Sequence, residues 1–184
     1  RSLPNVDPWR IGMMGGSRGG MVTYIALKTQ TLRGSSDIRV AATVGGIADL
    51  FRWPNDRPDV VQGVYVPLVG ATPDQNPAAF RARSAVYWPE LITVPILLMH
   101  GEADTEVSVT QSLLLYHALK DAGRDVTLVT YPGDDHPLTG QLGGYPEALR
   151  FFERYIGGDG VDRQYDTHWD NIRAVSAWFY ANPQ

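Results

Sequence analysis

The stretch RIGMMGGSRGGMVTYIALK, residues 10–28, places one serine, Ser17, between two pairs of glycines. Residues 11–14 form an apolar run that is typical of a buried strand, and the apolar residues at 21, 22, 25 and 26 repeat at helical spacing. The stretch therefore predicts a strand, a tight turn centred on Ser17 and a helix, which together form one unit of an α/β fold.

The turn Gly15-Gly16-Ser17-Arg18-Gly19 fits G-x-S-x-G, the nucleophile elbow, in which a strained backbone lifts the serine hydroxyl above the sheet edge. Side chains at Gly15 and Gly19 would collide with the neighbouring strand and helix, so we expect both positions to require glycine. An ordinary glycine-rich turn is the alternative. A nucleotide-binding turn is disfavoured, because neither the P-loop Lys-Ser/Thr nor G-x-G-x-x-G is present.

The rest of the chain repeats this alternation of apolar runs and helical patterns. Runs rich in Val, Ile, Leu or Met predict strands at residues 10–14, 40–44, 95–100 and 126–131. Helical patterns lie at residues 21–26, 109–119, 148–155 and 172–179. We therefore predict one α/β domain over residues 1–184, with a mostly parallel sheet covered by helices on both faces.

Residues 49–90 interrupt this pattern with six prolines and six aromatic residues, and we expect an irregular, lid-like region with short helices. Trp53, Tyr65, Tyr87 and Trp88 are candidates for a substrate wall, with core packing as the expected role of at least half of them. A surface connection with locally packed aromatics is an equal alternative.

The composition excludes several classes of function. Hydrophobic residues make up 43% and charged residues 20% of the 184 residues, and the net charge is −4 without a basic stripe, which argues against nucleic acid or an anionic membrane as partner. The longest apolar run is too short to span a bilayer. The absence of cysteine excludes disulfides and thiolate catalysis, and no metal or organic cofactor is indicated. The compartment stays open.

A catalytic serine requires a base and an orienting carboxylate, which follow it in the chain order Ser, acid, His when the elbow is present. Asp104 comes just after the strand at 95–100 and is the preferred acid, with Glu102 and Glu106 as solvated alternatives. Asp134 and Asp135 lie beside the preferred histidine in sequence, so they cannot easily reach its Nδ1.

The preferred base is His136, which follows the strand at residues 126–131 and would meet Ser17 at the same sheet edge. His100 ends a predicted strand and His117 lies within a predicted helix, so we expect structural roles for both. His168, near the end of the chain, is the remaining alternative.

HGEAD at residues 100–104, YPGDDH at 131–136 and DPWRIGMMGGSRGG at 7–20 resemble the acid, histidine and elbow motifs of the prolyl oligopeptidase family's catalytic domain. The resemblance runs from about residue 4 to 156. It implies an α/β-hydrolase fold and a serine peptidase or related esterase with Ser17, Asp104 and His136 as triad. The N–H of Arg18 would serve the oxyanion hole, although many members carry Tyr at that position.

The resemblance also creates an expectation about what lies before the elbow. In that fold several strands precede it, and a loop among them supplies a second oxyanion donor, whereas 16 residues precede Ser17 here. We therefore expect the elbow strand to be a bare edge that pairs with another segment or chain. We also expect this chain alone to be weakly active or inactive, because losing one donor costs about 10²–10³ in kcat.

Three functions stay open on these grounds. The preferred one is a prolyl oligopeptidase-type serine peptidase, with a peptide as its substrate. A carboxylesterase would use the same triad on an ester. A non-catalytic, hydrolase-like binding module would fit an incomplete oxyanion hole, although the presence of all three triad residues argues against it.

Overall fold

The computed structural model describes residues 7–157, and its centre is a parallel four-stranded sheet in the order β1-β2-β3-β4. The strands are β1 (Gly12–Gly16), β2 (Val40–Val44), β3 (Ile96–Gly101) and β4 (Val126–Tyr131). Every neighbouring pair is parallel, so the carboxyl ends of all four strands lie at one edge of the sheet.

The α-helices are α1 (Arg18–Leu32), α2 (Pro58–Val60), α3 (Val66–Val69), α4 (Pro77–Arg81), α5 (Thr110–Asp121) and α6 (Tyr145–Ile156). A π-helical turn, Val61–Tyr65, joins α2 to α3. Short 3₁₀ segments lie at Trp53–Asn55, Ala85–Tyr87, Pro89–Leu91 and Thr139–Gly144. None of the helices in the described part of the chain is long and apolar enough to cross a bilayer.

The two central strands are apolar along their whole length because both of their faces are covered. Every residue of β2 and β3 is buried. Alternate side chains, such as Ala41 and Leu98, pack with Leu27 of α1 and Leu115 of α5. The intervening side chains pack on the opposite face with α6. A parallel sheet covered in this way has continuous apolar strands without alternation, which is the pattern that the sequence carries.

These observations confirm the predicted α/β class, and the strand bounds agree closely. β2 and β4 coincide with the predicted runs, whereas β1 lies two residues further along than predicted and includes Gly15 and Gly16. The two glycines extend the strand because they pair with Thr43 and Val44 of β2. The predicted helix at residues 172–179 lies outside the described residues.

The region at residues 49–90 consists largely of short helical segments, and much of it is packed core. Tyr65 and Phe80 are buried together with Met21 of α1 in one cluster, and Trp88 is buried in the cluster between α1 and α5. Tyr87 is 43% exposed and makes an edge contact with Phe51. Core packing is therefore the role of Tyr65 and Trp88, as expected for at least half of these aromatics.

Of the two positions predicted to require glycine, Gly15 does require it and Gly19 does not. Gly20 is the second glycine that packing requires. A Cβ on Gly15 would strike the carbonyl oxygen of Gly19 and lie 2.6 Å from Thr23 Oγ1. The prediction for Gly19 is wrong, because a Cβ there would meet nothing within 4 Å. Instead, a Cβ on Gly20 would lie 2.7 Å from Gly46 Cα. The helix therefore approaches the sheet one residue later than the motif suggests.

Replacing Gly15 and Gly19 separately by alanine tests this packing. Gly15→Ala forces backbone atoms of α1 away from β1, so we expect the free energy of unfolding to fall by about 2 kcal/mol or more. Gly19→Ala places a methyl group in open space within a helix, so we expect it to be neutral or to stabilise by up to about 1 kcal/mol. Chemical denaturation measures both, and equal losses for the two variants would contradict the assignment.

Candidate active site

Ser17 is the single residue between β1 and α1, and its backbone is strained. Its φ of 53° and ψ of −121° lie in a region that residues with side chains rarely adopt. The Ser17 N–H donates to the carbonyl oxygen of Val44 at 2.8 Å, which ties the turn to the end of β2. The next residue, Arg18, begins α1, so the unshared N–H groups of the helix start lie beside the serine.

Asp104 and His136 are joined by a hydrogen bond at the same edge of the sheet. Asp104 lies in the loop after β3, His136 lies in the loop after β4, and the distance from His136 Nδ1 to Asp104 Oδ2 is 2.6 Å. The other oxygen, Asp104 Oδ1, accepts the backbone N–H groups of Glu106 at 2.8 Å and Val107 at 2.9 Å. The carboxylate is thus held from both sides, and the bond at Nδ1 leaves His136 Nε2 available to the cleft.

The environment of Asp104 strongly favours its charged form. The side chain is fully buried, and burial alone would raise its pKa. Hydrogen bonds from His100 and His136, followed by the Val107 N–H, outweigh this effect and lower the pKa of Asp104 to about 2. The carboxylate is therefore ionised at any pH at which the protein would operate.

Gly45, the residue after β2, makes room for this pair. Its φ is +53°, and a Cβ built on it would lie 3.0 Å from His136 Nδ1 and 3.2 Å from Asp104 Oδ2. Both the backbone conformation and the space favour glycine at this position. The sequence reasoning missed Gly45, although the pair Gly45-Gly46 directly follows a predicted strand and so marks a close approach at the same sheet edge.

Ser17 and His136 together line two clefts, which lie next to each other along the edge of the sheet. One cleft of about 360 Å³ is lined by Met14, Gly15, Gly16, Ser17, Val44, His136, Pro137, Gly143 and Tyr145. The other, of about 300 Å³, is lined by Ser17, Arg18, Trp53, Arg57, Val60, Val64, Glu106, Val107 and His136. Of the four aromatic wall candidates, Trp53 is the one that lines the second cleft.

The alternative acids have other partners. Glu106 forms an ion pair with Arg57, and Glu102 accepts a hydrogen bond from Thr130 at 2.7 Å. Asp135 accepts the backbone N–H and the hydroxyl of Thr139, both at 2.8 Å, and so shapes the loop that carries His136. Asp134 likewise accepts backbone N–H groups within this loop.

The alternative histidines lie elsewhere or make other contacts. His117 packs edge-on against Tyr116 on α5. His100 is buried at the end of β3, with Nε2 lying 3.1 Å from Asp104 Oδ2. His168 is outside the described residues. Of the predicted site residues, the structure therefore brings Ser17, Arg18, Asp104 and His136 to one edge. Among residues 7–157 it gathers no group of three His, Asp or Glu side chains that could hold a metal ion.

Comparison with known proteins gives a consistent result. The model of the prolyl oligopeptidase family matches residues 2–159. The chain is 29% identical over 133 residues to the uncharacterized peptidase YtmA of Bacillus subtilis (strain 168). The aligned region covers 72% of this chain and 50% of that protein.

Two solved structures are similar in fold and sequence. A puromycin-hydrolyzing peptidase of Mycobacterium tuberculosis matches with 25% identity and a TM-score of 0.70, over 84% of this chain and 23% of that one. Pyrococcus horikoshii acylaminoacyl peptidase matches with 26% identity and a TM-score of 0.67, over 85% of this chain and 26% of that one. These relatives are α/β-hydrolase peptidases, and the described sheet has their fold. The chain spans half the length of the first relative and about a quarter of the other two.

Gly45→Ala tests whether this glycine holds the Asp104–His136 pair. The new methyl group would push the imidazole away from the carboxylate, so we expect the pKa of Asp104 to rise above about 2, as read from its carboxyl ¹³C shift in an NMR titration. Gly34→Ala is the matched control, because Gly34 has a φ of +63° but its Cβ would meet nothing within 4 Å. The same shift in both variants would mean that backbone strain, and not contact with the pair, is responsible.

The low pKa of Asp104 predicts how stability depends on pH. Because the folded pKa is about 2 and the ordinary value is 3.8, the ionised group stabilises the fold above pH 3.8, and this contribution is lost as the pH falls toward 2. We expect the difference in unfolding free energy between the wild type and Asp104→Asn to shrink by about 2 kcal/mol between pH 5 and pH 2. Urea denaturation at a series of pH values measures it, and a constant difference would contradict the prediction.

Proposed function

Because the chain belongs to the prolyl oligopeptidase family of serine peptidases, we propose that it cleaves peptide amide bonds through Ser17, His136 and Asp104. The observation that carries the proposal is the 2.6 Å bond from His136 Nδ1 to Asp104 Oδ2, beside a strained serine that lines the same clefts as His136. Strain, a buried carboxylate and an oriented imidazole together are typical of an acyl-transfer site.

In the proposed reaction Ser17 Oγ attacks the substrate carbonyl carbon and its proton passes to His136 Nε2. Asp104 keeps the proton of His136 on Nδ1 and stabilises the imidazolium. The proton then moves to the leaving nitrogen as the C–N bond breaks, which leaves an acyl ester on Ser17. Water attacks this ester and transfers a proton to His136, and the proton returns to Ser17 Oγ as the acid departs.

The oxyanion would be stabilised at the start of α1. The N–H of Arg18 is the first N–H of that helix and follows the nucleophile directly, which is the position of one oxyanion donor in elbow enzymes. The helix dipole adds partial positive charge at the same point. The Arg18 side chain is exposed at the rim of the second cleft and is placed to contact substrate there.

The two clefts suit the two sides of a scissile bond. The second cleft contains the apolar side chains of Trp53, Val60, Val64 and Val107, so we assign it to an apolar substrate side chain. Within residues 7–157, β1 pairs with β2 alone, and we further propose that a strand from another segment or chain pairs with its outer edge.

Labelling with a fluorophosphonate tests the nucleophile. We expect the wild-type protein to be labelled at Ser17, and Ser17→Ala to lose the label completely, because the probe reacts only with an activated serine. Ser35→Ala, at an exposed serine outside the clefts, is the control and should be labelled like the wild type. Hydrolysis of an arylamide by wild-type protein that has not been treated with the probe supports a peptidase, whereas hydrolysis of aryl esters alone would indicate a carboxylesterase. Absence of labelling in the wild type would favour a non-catalytic module.

A further inference from the structure

His100 is a fully buried histidine that the proposed reaction does not use. It lies near the end of β3 and has no exposed surface. A buried polar ring is costly unless its nitrogens are bonded, so its partners indicate what it does there.

The partners of His100 determine which nitrogen carries its proton. Nε2 lies 2.8 Å from the carbonyl oxygen of Val107 and 3.1 Å from Asp104 Oδ2. Both of these oxygens can only accept, so Nε2 must carry a hydrogen. Nδ1 lies 2.7 Å from Ser112 Oγ on α5, and in the neutral ring the Ser112 hydroxyl donates to it. Ser112, also fully buried, thereby selects the tautomer that directs an N–H toward Asp104.

His100 and His136 approach the same carboxylate oxygen, and the single Nε2–H of His100 is shared between that oxygen and the carbonyl oxygen of Val107. Asp104 Oδ2 receives His136 Nδ1 at 2.6 Å and His100 Nε2 at 3.1 Å, while Oδ1 receives the two backbone N–H groups of Glu106 and Val107. Four donors therefore surround the two oxygens. The bond from His100 restrains rotation of the carboxylate, and it withdraws part of the negative charge that would otherwise act on His136 alone.

We propose that His100, oriented by Ser112, is a positioning residue that holds Asp104 and moderates its effect on His136. This inference rests on the proposed function for its kinetic consequences, but not for its structural ones. Removing the His100 donor takes away one of the contacts that lower the pKa of Asp104, and the less restrained carboxylate orients the imidazole of His136 less well.

Other groups near the pair do not replace this contact. Gly45 contacts the pair from β2 and carries no charge. The charged side chains that line a cleft with His136 are Arg18 from α1, Arg57 from the 49–90 region and Glu106 from the loop after β3, and Arg57 is paired with Glu106. Ser112 is the hydroxyl that faces His100 from α5.

The test compares His100→Leu, His100→Gln and Ser112→Ala in the full-length protein. His100→Leu keeps an apolar volume without a donor, whereas the Gln amide can place an N–H near the position of Nε2. For His100→Leu we expect a fall of about tenfold in kcat with an unchanged KM, and a higher Asp104 pKa in the ¹³C carboxyl titration. His100→Gln should recover most of each change, and Ser112→Ala should give smaller changes in the same directions.

Several results would overturn the inference. If folded His100→Leu leaves the Asp104 titration and kcat at their wild-type values, His100 is only a core residue. If His100→Gln loses as much as His100→Leu while circular dichroism shows both to be folded, the N–H is not the relevant feature. If His100→Leu does not fold, the other two variants decide by the same readouts. The carboxyl titration does not depend on catalytic turnover. If the wild type does not react with the fluorophosphonate, the proposed function is refuted, and the titration still decides whether His100 anchors Asp104.

Discussion

The contact between Asp104 and His136 depends on the parallel pairing of β3 and β4, which ends both strands at the same level. The last two residue pairs of the two strands are His100 with Thr130 and Gly101 with Tyr131, so the two loops begin side by side. They then bond to each other, because the Ala103 N–H donates to the carbonyl oxygen of Asp134 at 2.9 Å. A Cβ on Gly101 would strike the carbonyl oxygens of this second loop, so the glycine of HGEAD is what allows them to approach.

A fully buried carboxylate would destabilise the fold without this dense set of donors. The N–H groups of Glu106 and Val107 come from the turn that Asp104 itself shapes, while the two imidazoles come from β3 and from the loop after β4. Because His100 belongs to β3 and the loops that carry the other donors begin at the ends of β3 and β4, the geometry of the carboxylate depends on the sheet. The strain at Ser17 has the same origin, since its N–H is fixed to the end of β2.

The sequence predicts the strands and the positions of Asp104 and His136 well, but it does not predict the close contacts around the elbow. Strands buried on both faces appear as apolar runs, so β2 and β4 were predicted with their observed bounds, whereas β1 was displaced because its last two residues are glycines without apolar side chains. The positions of Asp104 and His136 followed from chain order and strand ends. By contrast, the choice between Gly19 and Gly20 depends on where α1 touches the loop after β2, which no local pattern specifies.

His100 was predicted to be structural because it ends a predicted strand. His100 and Asp104 are four residues apart, and the end of β3 lies between them. Nothing in the sequence indicates that the turn after β3 brings the Asp104 carboxylate close to the His100 imidazole. The contact is held in place because Gly101 lets the loop after β4 pack against the turn that carries Asp104, and because α5 places Ser112 against the far side of the imidazole. In the sequence, a histidine that is buried for packing cannot be distinguished from one that is buried to hold a charged group. They differ in whether each ring nitrogen has a partner of the correct polarity, and both nitrogens of His100 have one.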